Sequence, residues 1–85
     1  MVRKDILRIR IGRDRITQVL EPHLGATNAL ERANNIAQVL AFTDDDPAHI
    51  ALEMLGNTGL SNTLEVAAEV GQVWMSSITQ KIPPH

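Results

Sequence analysis

Histidine and carboxylate side chains are the groups in this 85-residue sequence whose spacing suggests chemistry. His49 and Glu53 are four residues apart, so a helix would carry both on one face, where they could share a proton or a metal ion. Asp44, Asp45 and Asp46 form a run of carboxylates just before that helix. Their spacing does not match that of a calcium-binding loop, and we interpret the run as a helix start with Asp46 as its N-cap. We therefore expect no metal site.

Enzymatic chemistry is not predicted elsewhere either. The sequence shows no serine–histidine–aspartate arrangement, no phosphate-cradling glycine loop and no dinucleotide fingerprint. His49 and Glu53 are explained by the solvated face of a helix, and His23 follows Pro22 in a turn. We expect a non-enzymatic binding protein without a cofactor.

The chain has the size and composition of a single small domain, residues 1–85. It is 44% apolar and 21% charged, with Phe42 and Trp74 as its aromatic residues and no cysteine. A core of this size leaves little net stability, and association with another chain is the usual way to bury more surface. Neither a spanning apolar run nor a secretory signal is recognisable, so we predict a cytoplasmic protein with no membrane partner.

Charge is distributed unevenly along the chain. The basic segment, residues 1–15, carries six basic groups and two acids, whereas the stretch 33–80 has six acids and no lysine or arginine. A basic segment and an acidic body suggest two different surfaces. Either both are solvated, or the basic arm of one subunit lies against the acidic body of another.

Apolar spacing predicts a mainly α-helical fold, a small four-helix domain with its helical body at residues 16–82. We expect helices over 13–21, Ala29–Phe42, Pro47–Leu55 and Asn62–Ile82, with a turn over residues 25–28. The residues expected to face inward from the second and third helices are Leu30, Ala33, Ile36, Ala37, Leu40, Ile50, Ala51, Met54 and Leu55.

The residues before these helices admit two interpretations. Leu7, Ile9 and Ile11 alternate with arginines in the period-two pattern of a short β-strand, which would have to pair with the same strand of a second subunit. The alternative is an all-α bundle in which residues 3–21 are helical. That helix carries Gly12 in its middle, at a cost of about 1 kcal/mol. The pattern slightly favours the strand.

The last helix has two apolar stripes. One runs through Leu64, Ala67, Ala68, Gly71, Trp74, Met75, Ile78 and Ile82, and the other through Val66, Val70 and Val73. A surface helix needs one apolar face, so this helix is either central to its own core or shared with a partner. We predict a homo-oligomer, with Val66, Val70, Val73 and Trp74 as candidate interface residues.

The order of elements resembles that of the ribbon-helix-helix family of small DNA-binding repressors. The matching pieces are the segment Leu7-Arg8-Ile9-Arg10-Ile11, the helix through Ile16 and Leu20, the turn 24–28 and the helix Ala29–Phe42. The resemblance covers about half of the chain and is one of layout. It departs from the family at Pro22, which shortens the first helix, and at Ile6, which would lie outward.

The resemblance implies a DNA-binding regulator or antitoxin. In that family two strands pair across a dimer and enter the major groove, so Arg8 and Arg10 would contact bases. Thr27 and Asn28 would grip phosphate at a helix start. The remaining predicted DNA contacts are non-specific and come from Arg3, Lys4, Arg13 and Arg15.

The alternative function is an all-helical protein–protein interaction module, such as an adaptor, an inhibitor or an assembly subunit. It has no nucleic-acid role, and its basic N-terminus would meet an acidic protein surface. Whether residues 5–11 form a strand or a helix separates the two hypotheses.

Overall fold

The computed structural model describes the backbone of residues 3–79 and the side chains of residues 9–77. Over these described residues the chain forms four helices: α1 (Arg3–Leu24), α2 (Ala26–Ala41), α3 (Pro47–Leu55) and α4 (Thr63–Thr79). The predicted mainly α-helical fold is confirmed. None of these helices is long and apolar enough to cross a membrane.

The N-terminal strand is not found, because residues 5–11 belong to α1 and the described residues contain no strand. This corrects the slight preference for a strand and agrees with the alternative all-α bundle. A lone strand leaves its backbone groups unpaired, whereas a helix pairs them within the segment. Pro22 does not end the helix, since α1 continues to Leu24 and the Gly25 amide donates to the Glu21 carbonyl at 2.9 Å.

Gly12, the main objection to a helix here, is where α1 meets α4. Gly12 is buried, and a Cβ atom built on it would overlap Cε3 and Cζ3 of the Trp74 ring. The glycine therefore makes room for the indole ring, which is only 3% exposed. Its weak helix propensity is the cost of this contact.

A single residue separates α1 from α2. Gly25 has φ 84°, a value that favours glycine, and it is the N-cap of α2 without a side-chain cap bond. The predicted turn over residues 25–28 is thus too long, since Thr27 and Asn28 already lie inside the helix. The Asn28 side-chain amide donates to the Leu24 carbonyl at 3.4 Å.

Helix α3 has the predicted bounds, from Pro47 in the first turn to Leu55, with Gly56 as C-cap. It packs against α4 at a second glycine, Gly71, whose Cβ position lies 2.7 Å from the Ala48 nitrogen. α4 begins at Thr63, one residue after the predicted start. Its predicted continuation to Ile82 lies outside the described residues.

The core is shared by all four helices, with α1 packed against α2 and α4, and α3 packed against α4. Its buried apolar members are Ile16, Leu20, Ala29, Ala33, Ile36, Ala37, Leu40, Ala51, Leu55, Val66, Ala67, Val70 and Trp74. Alanines line α2 where it crosses its neighbours, so the helices approach closely. Leu30, predicted to face inward, is 50% exposed, and the smaller Ala29 is buried in its place.

Candidate partner-binding surfaces

The basic residues predicted to contact DNA lie in the N-terminal segment, and the structure describes the side chains of three of them on α1. Arg10 is exposed on α1, while Arg13 is partly buried and bonds to its neighbour Asp14 at 3.3 Å. Arg15 is also partly buried. The side chains of Arg3, Lys4 and Arg8 lie outside the described residues.

The predicted phosphate contacts lie at the other end of the α1–α2 hairpin. Thr27 and Asn28 are exposed in the first turn of α2, next to the last residue of α1. Residues 10 and 24 of a continuous helix are about 20 Å apart along its axis.

A polar groove of about 580 Å³ lies between α1 and α4. It is lined by Arg15, Gln18, Val19, Pro22, His23, Glu69 and Val73. The groove thus joins a predicted DNA contact, Arg15, with a predicted interface residue, Val73. A guanidinium, an imidazole and a carboxylate face one open space here, and their mixed charge does not select for a nucleic acid.

His49 and Glu53 form the pair that the sequence predicted. Their Nε2 and Oε2 atoms are 3.3 Å apart, and both side chains are more than half exposed. Among the described residues no three histidine or carboxylate side chains converge in a way that could hold a metal ion. The pair is thus a solvated contact on the surface of α3, of a kind that contributes little to stability.

The predicted interface residues of α4 lie mostly inside the monomer. Val66, Val70 and Trp74 are at most 3% exposed, and Val73 is partly exposed beside the polar groove. The second stripe of α4 therefore packs inside the chain's own fold, where α4 contacts α1 and α3. This matches the case of a helix that is central to its own fold.

The exposed apolar face of α4 is a different one. Leu64 and Met75 are large and exposed, and Ala68 is exposed between them. Their spacing of four and seven residues places them on one stripe. Sequence periodicity grouped them with buried residues such as Gly71, because it does not show where α3 covers the helix.

Sequence reasoning missed a second groove, between α2 and α3. It has a volume of about 510 Å³ and is lined by Asn35, Gln38, Val39, Phe42, Thr43 and Met54. We call it the Phe42 groove, since Phe42 is 73% exposed at its edge. The position of Phe42 in the sequence could have indicated its exposure. It lies at the end of a helix, just before the polar loop, where few core residues are left to cover it.

Acidic residues follow the Phe42 groove in the chain, next to its lining residue Thr43. Asp44, Asp45 and Asp46 follow Thr43 directly and are exposed. The Asp45 amide donates to the Thr43 hydroxyl at 3.1 Å, a local bond that shapes this loop. The structure pairs none of these carboxylates with a cation among the side chains it describes.

Arg32 is bonded to Met54, the residue that α3 contributes to the lining of the groove. Its Nη1 donates to the Met54 carbonyl at 3.1 Å and to Asn57 Oδ1 at 3.0 Å. The guanidinium therefore caps the C-terminal end of α3, where orphan carbonyls and the helix dipole favour a cation. The sequence showed Arg32 only as the last basic residue before the acidic body.

Comparison with known proteins does not identify a family for this chain. No protein-family model matches the chain, and neither a curated protein nor a solved structure matches it significantly.

Proposed function

We propose that the chain is a non-enzymatic protein–protein interaction module that binds its partner through the Phe42 groove. The observation that carries the proposal is the exposure of Phe42, an aromatic ring held at the edge of a groove with Val39 and Met54. A large apolar side chain left in water is unfavourable, and aromatic residues with methionine are typical of the centres of interfaces.

The surroundings of Phe42 also favour a binding surface. Both walls are helices whose opposite faces are packed into the core, so the groove is present before any partner arrives. A preformed surface loses less entropy on binding than one that must first become ordered. Asn35, Gln38 and Thr43 add polar groups at the rim, where hydrogen bonds can select a partner.

Affinity purification from the host cell tests this function. A tagged full-length chain is captured with and without nuclease treatment, beside the variants Phe42→Ser and Leu30→Ser. Leu30→Ser is the matched control, because it also removes a large exposed apolar side chain but lies about three helical turns away from Phe42. We expect a nuclease-resistant protein partner that Leu30→Ser retains and Phe42→Ser loses.

Two results would contradict the proposal. One is a partner set that does not change in Phe42→Ser. The other is recovery of nucleic acid alone, with binding to duplex DNA that weakens steeply as salt increases, which would favour the DNA-binding regulator or antitoxin instead. The helical backbone of residues 5–11 removes the strand on which the ribbon-helix-helix layout depends, and we rank that function second.

Self-association is a separate proposal, and a specific surface supports it. The exposed stripe of Leu64, Ala68 and Met75 on α4 carries a small residue between two large ones, which suits close packing of two helices. Sedimentation of wild type and Leu64→Glu, at protein concentrations spanning about three decades, tests it. A concentration-dependent dimer that the variant abolishes is expected, and a wild type that stays monomeric throughout would exclude this interface.

A further inference from the structure

The two ends of the Phe42 groove differ in charge. Exposed Asp44 and Asp45 directly follow the lining residue Thr43, and we call this side the aspartate end. The guanidinium of Arg32 is already bonded to the carbonyl of Met54, the lining residue from α3. The last turn of α2 has no basic residue, so its terminal carbonyls add negative potential at the aspartate end. The groove therefore combines an apolar floor with one strongly negative end.

The composition of the chain strengthens this polarity. No lysine or arginine occurs anywhere in the stretch 33–80. A positive group that approaches Asp44 and Asp45 therefore meets no lysine or arginine side chain from α3 or from the described part of α4. Such an uncompensated patch attracts cations over about a Debye length, roughly 10 Å at 0.1 M salt.

We infer that the occupant of the Phe42 groove is a cationic amphipathic helix of a partner protein. Its apolar face covers Val39, Phe42 and Met54, and its lysine or arginine side chains lie at the aspartate end. This inference rests on the proposed function and adds the chemical class of the partner. A helix lying in a groove formed by two helices is a common recognition mode, with anchors at i, i+3, i+4 and i+7.

A second copy of this chain fits the groove less well than a separate partner. The basic helix α1 has the required charge, but its apolar residues are used inside its own fold. Ile16 and Leu20 are fully buried, and Ile9 and Val19 pack against the core. Ile11 is exposed at 37%, the one large apolar side chain that the described part of α1 presents to a partner.

Designed peptides provide a direct test with the full-length chain. Three 18-residue helical peptides share one leucine face and differ at four flanking positions, which are all lysine, all glutamine or all glutamate. Binding is measured by fluorescence anisotropy of the labelled peptides at low and high salt. Amide chemical shifts of Val39, Phe42 and Met54 report whether each peptide occupies the groove.

We expect the lysine peptide to bind about tenfold more tightly than the glutamine peptide at low salt, and the glutamate peptide to bind most weakly. The variant Asp44→Asn/Asp45→Asn removes two surface carboxylates and should lower the affinity for the lysine peptide about three- to tenfold. This loss of affinity should be smaller at high salt. Phe42→Ser should lower the affinity for every peptide that binds by about tenfold or more, since each peptide loses the same apolar contact.

Matched controls separate these effects from general ones. Glu21→Gln/Glu65→Gln removes two exposed carboxylates outside the groove, and Leu30→Ser removes an exposed leucine outside it. Neither should change peptide affinity by more than about twofold. Circular dichroism of each variant establishes that it is folded before binding is compared.

The outcomes distinguish the partner class from the function itself. If the lysine and glutamine peptides bind equally, or if Asp44→Asn/Asp45→Asn binds the lysine peptide as tightly as wild type, the inference of a cationic partner is wrong. Docking of a partner in the Phe42 groove is not contradicted by these results. If the lysine peptide binds Phe42→Ser as tightly as it binds wild type, its binding is a non-specific charge effect. That result also contradicts the inference of a cationic partner in the groove. If no peptide binds, this inference fails, and the purification with Phe42→Ser decides the proposed function separately.

Discussion

Gly71→Ala probes the close packing of α3 on α4. In most helices this change stabilises, because alanine has a helix propensity about 1 kcal/mol better than glycine. Here the added Cβ atom would lie 2.7 Å from the nitrogen and 2.9 Å from the Cα of Ala48. Both are backbone atoms of α3, so a change of side-chain rotamer cannot relieve the overlap.

The magnitude follows from these distances. Ordinary contact between heavy atoms is roughly 3.5 Å, so α3 would have to move away by about 0.8 Å, the difference from 2.7 Å. Overpacking of this kind costs about 1–3 kcal/mol, against a gain of about 1 kcal/mol from helix propensity. We expect the free energy of unfolding to fall by about 1–2 kcal/mol, and Tm by about 5–15 °C.

Urea denaturation followed by circular dichroism and by the fluorescence of the single tryptophan measures this change. Gly56→Ala is the control, since Gly56 has φ −62° and a Cβ there meets only carbonyl oxygens at 3.5 Å. It should be neutral or stabilise by up to about 1 kcal/mol. Ala48→Gly should not rescue Gly71→Ala, because the backbone overlap remains. If Gly71→Ala is as stable as wild type, the inferred packing of α3 on α4 is wrong.

Three further predictions concern other contacts of the fold. Gly12→Ala should lower the free energy of unfolding by about 1–2 kcal/mol and shift the fluorescence of Trp74, because the new methyl group displaces the indole ring from α1; an unshifted spectrum with unchanged stability would contradict this. Val70→Glu should unfold the chain in circular dichroism instead of releasing folded monomers, since an unpaired charge at a fully buried position costs about 4 kcal/mol or more; a folded monomeric variant would show that Val70 is an interface residue. Arg32→Ala should cost about 1–2 kcal/mol in urea denaturation because it removes the hydrogen bonds to Met54 and Asn57, with Arg32→Lys intermediate; equal stability of all three forms would show that the cap is not needed.

Local signals predicted the elements of this fold well. The start of α3 is indicated by Asp46 and Pro47 and its end by Gly56, and the predicted bounds match the structure. The heptad-like spacing of α2 and α4 likewise indicated helices. The N-terminal segment was ambiguous because the alternation of Leu7, Ile9 and Ile11 fits a strand. A strand also needs a second strand to pair with, and the local pattern does not show whether the fold provides one.

The candidate site was harder to predict from spacing. Periodicity shows that Val66, Val70 and Val73 share a face, but not whether that face meets the same chain or another one. It also treats Phe42 as one more apolar helix residue. Only the packing of the helices on one another shows that Phe42 projects into solvent while Val70 on α4 is enclosed.

The sequence by itself determined the helical class, the bounds of α3 and the separation of basic from acidic residues, because these depend on neighbours along the chain. The tertiary structure decided which apolar stripe is buried, why Gly12 and Gly71 are glycines, and where an apolar groove remains open. Those features depend on close approach of residues distant in sequence, as with Gly12 and Trp74. Packing at atomic contact is specific to the arrangement of all four helices, and no single segment encodes it.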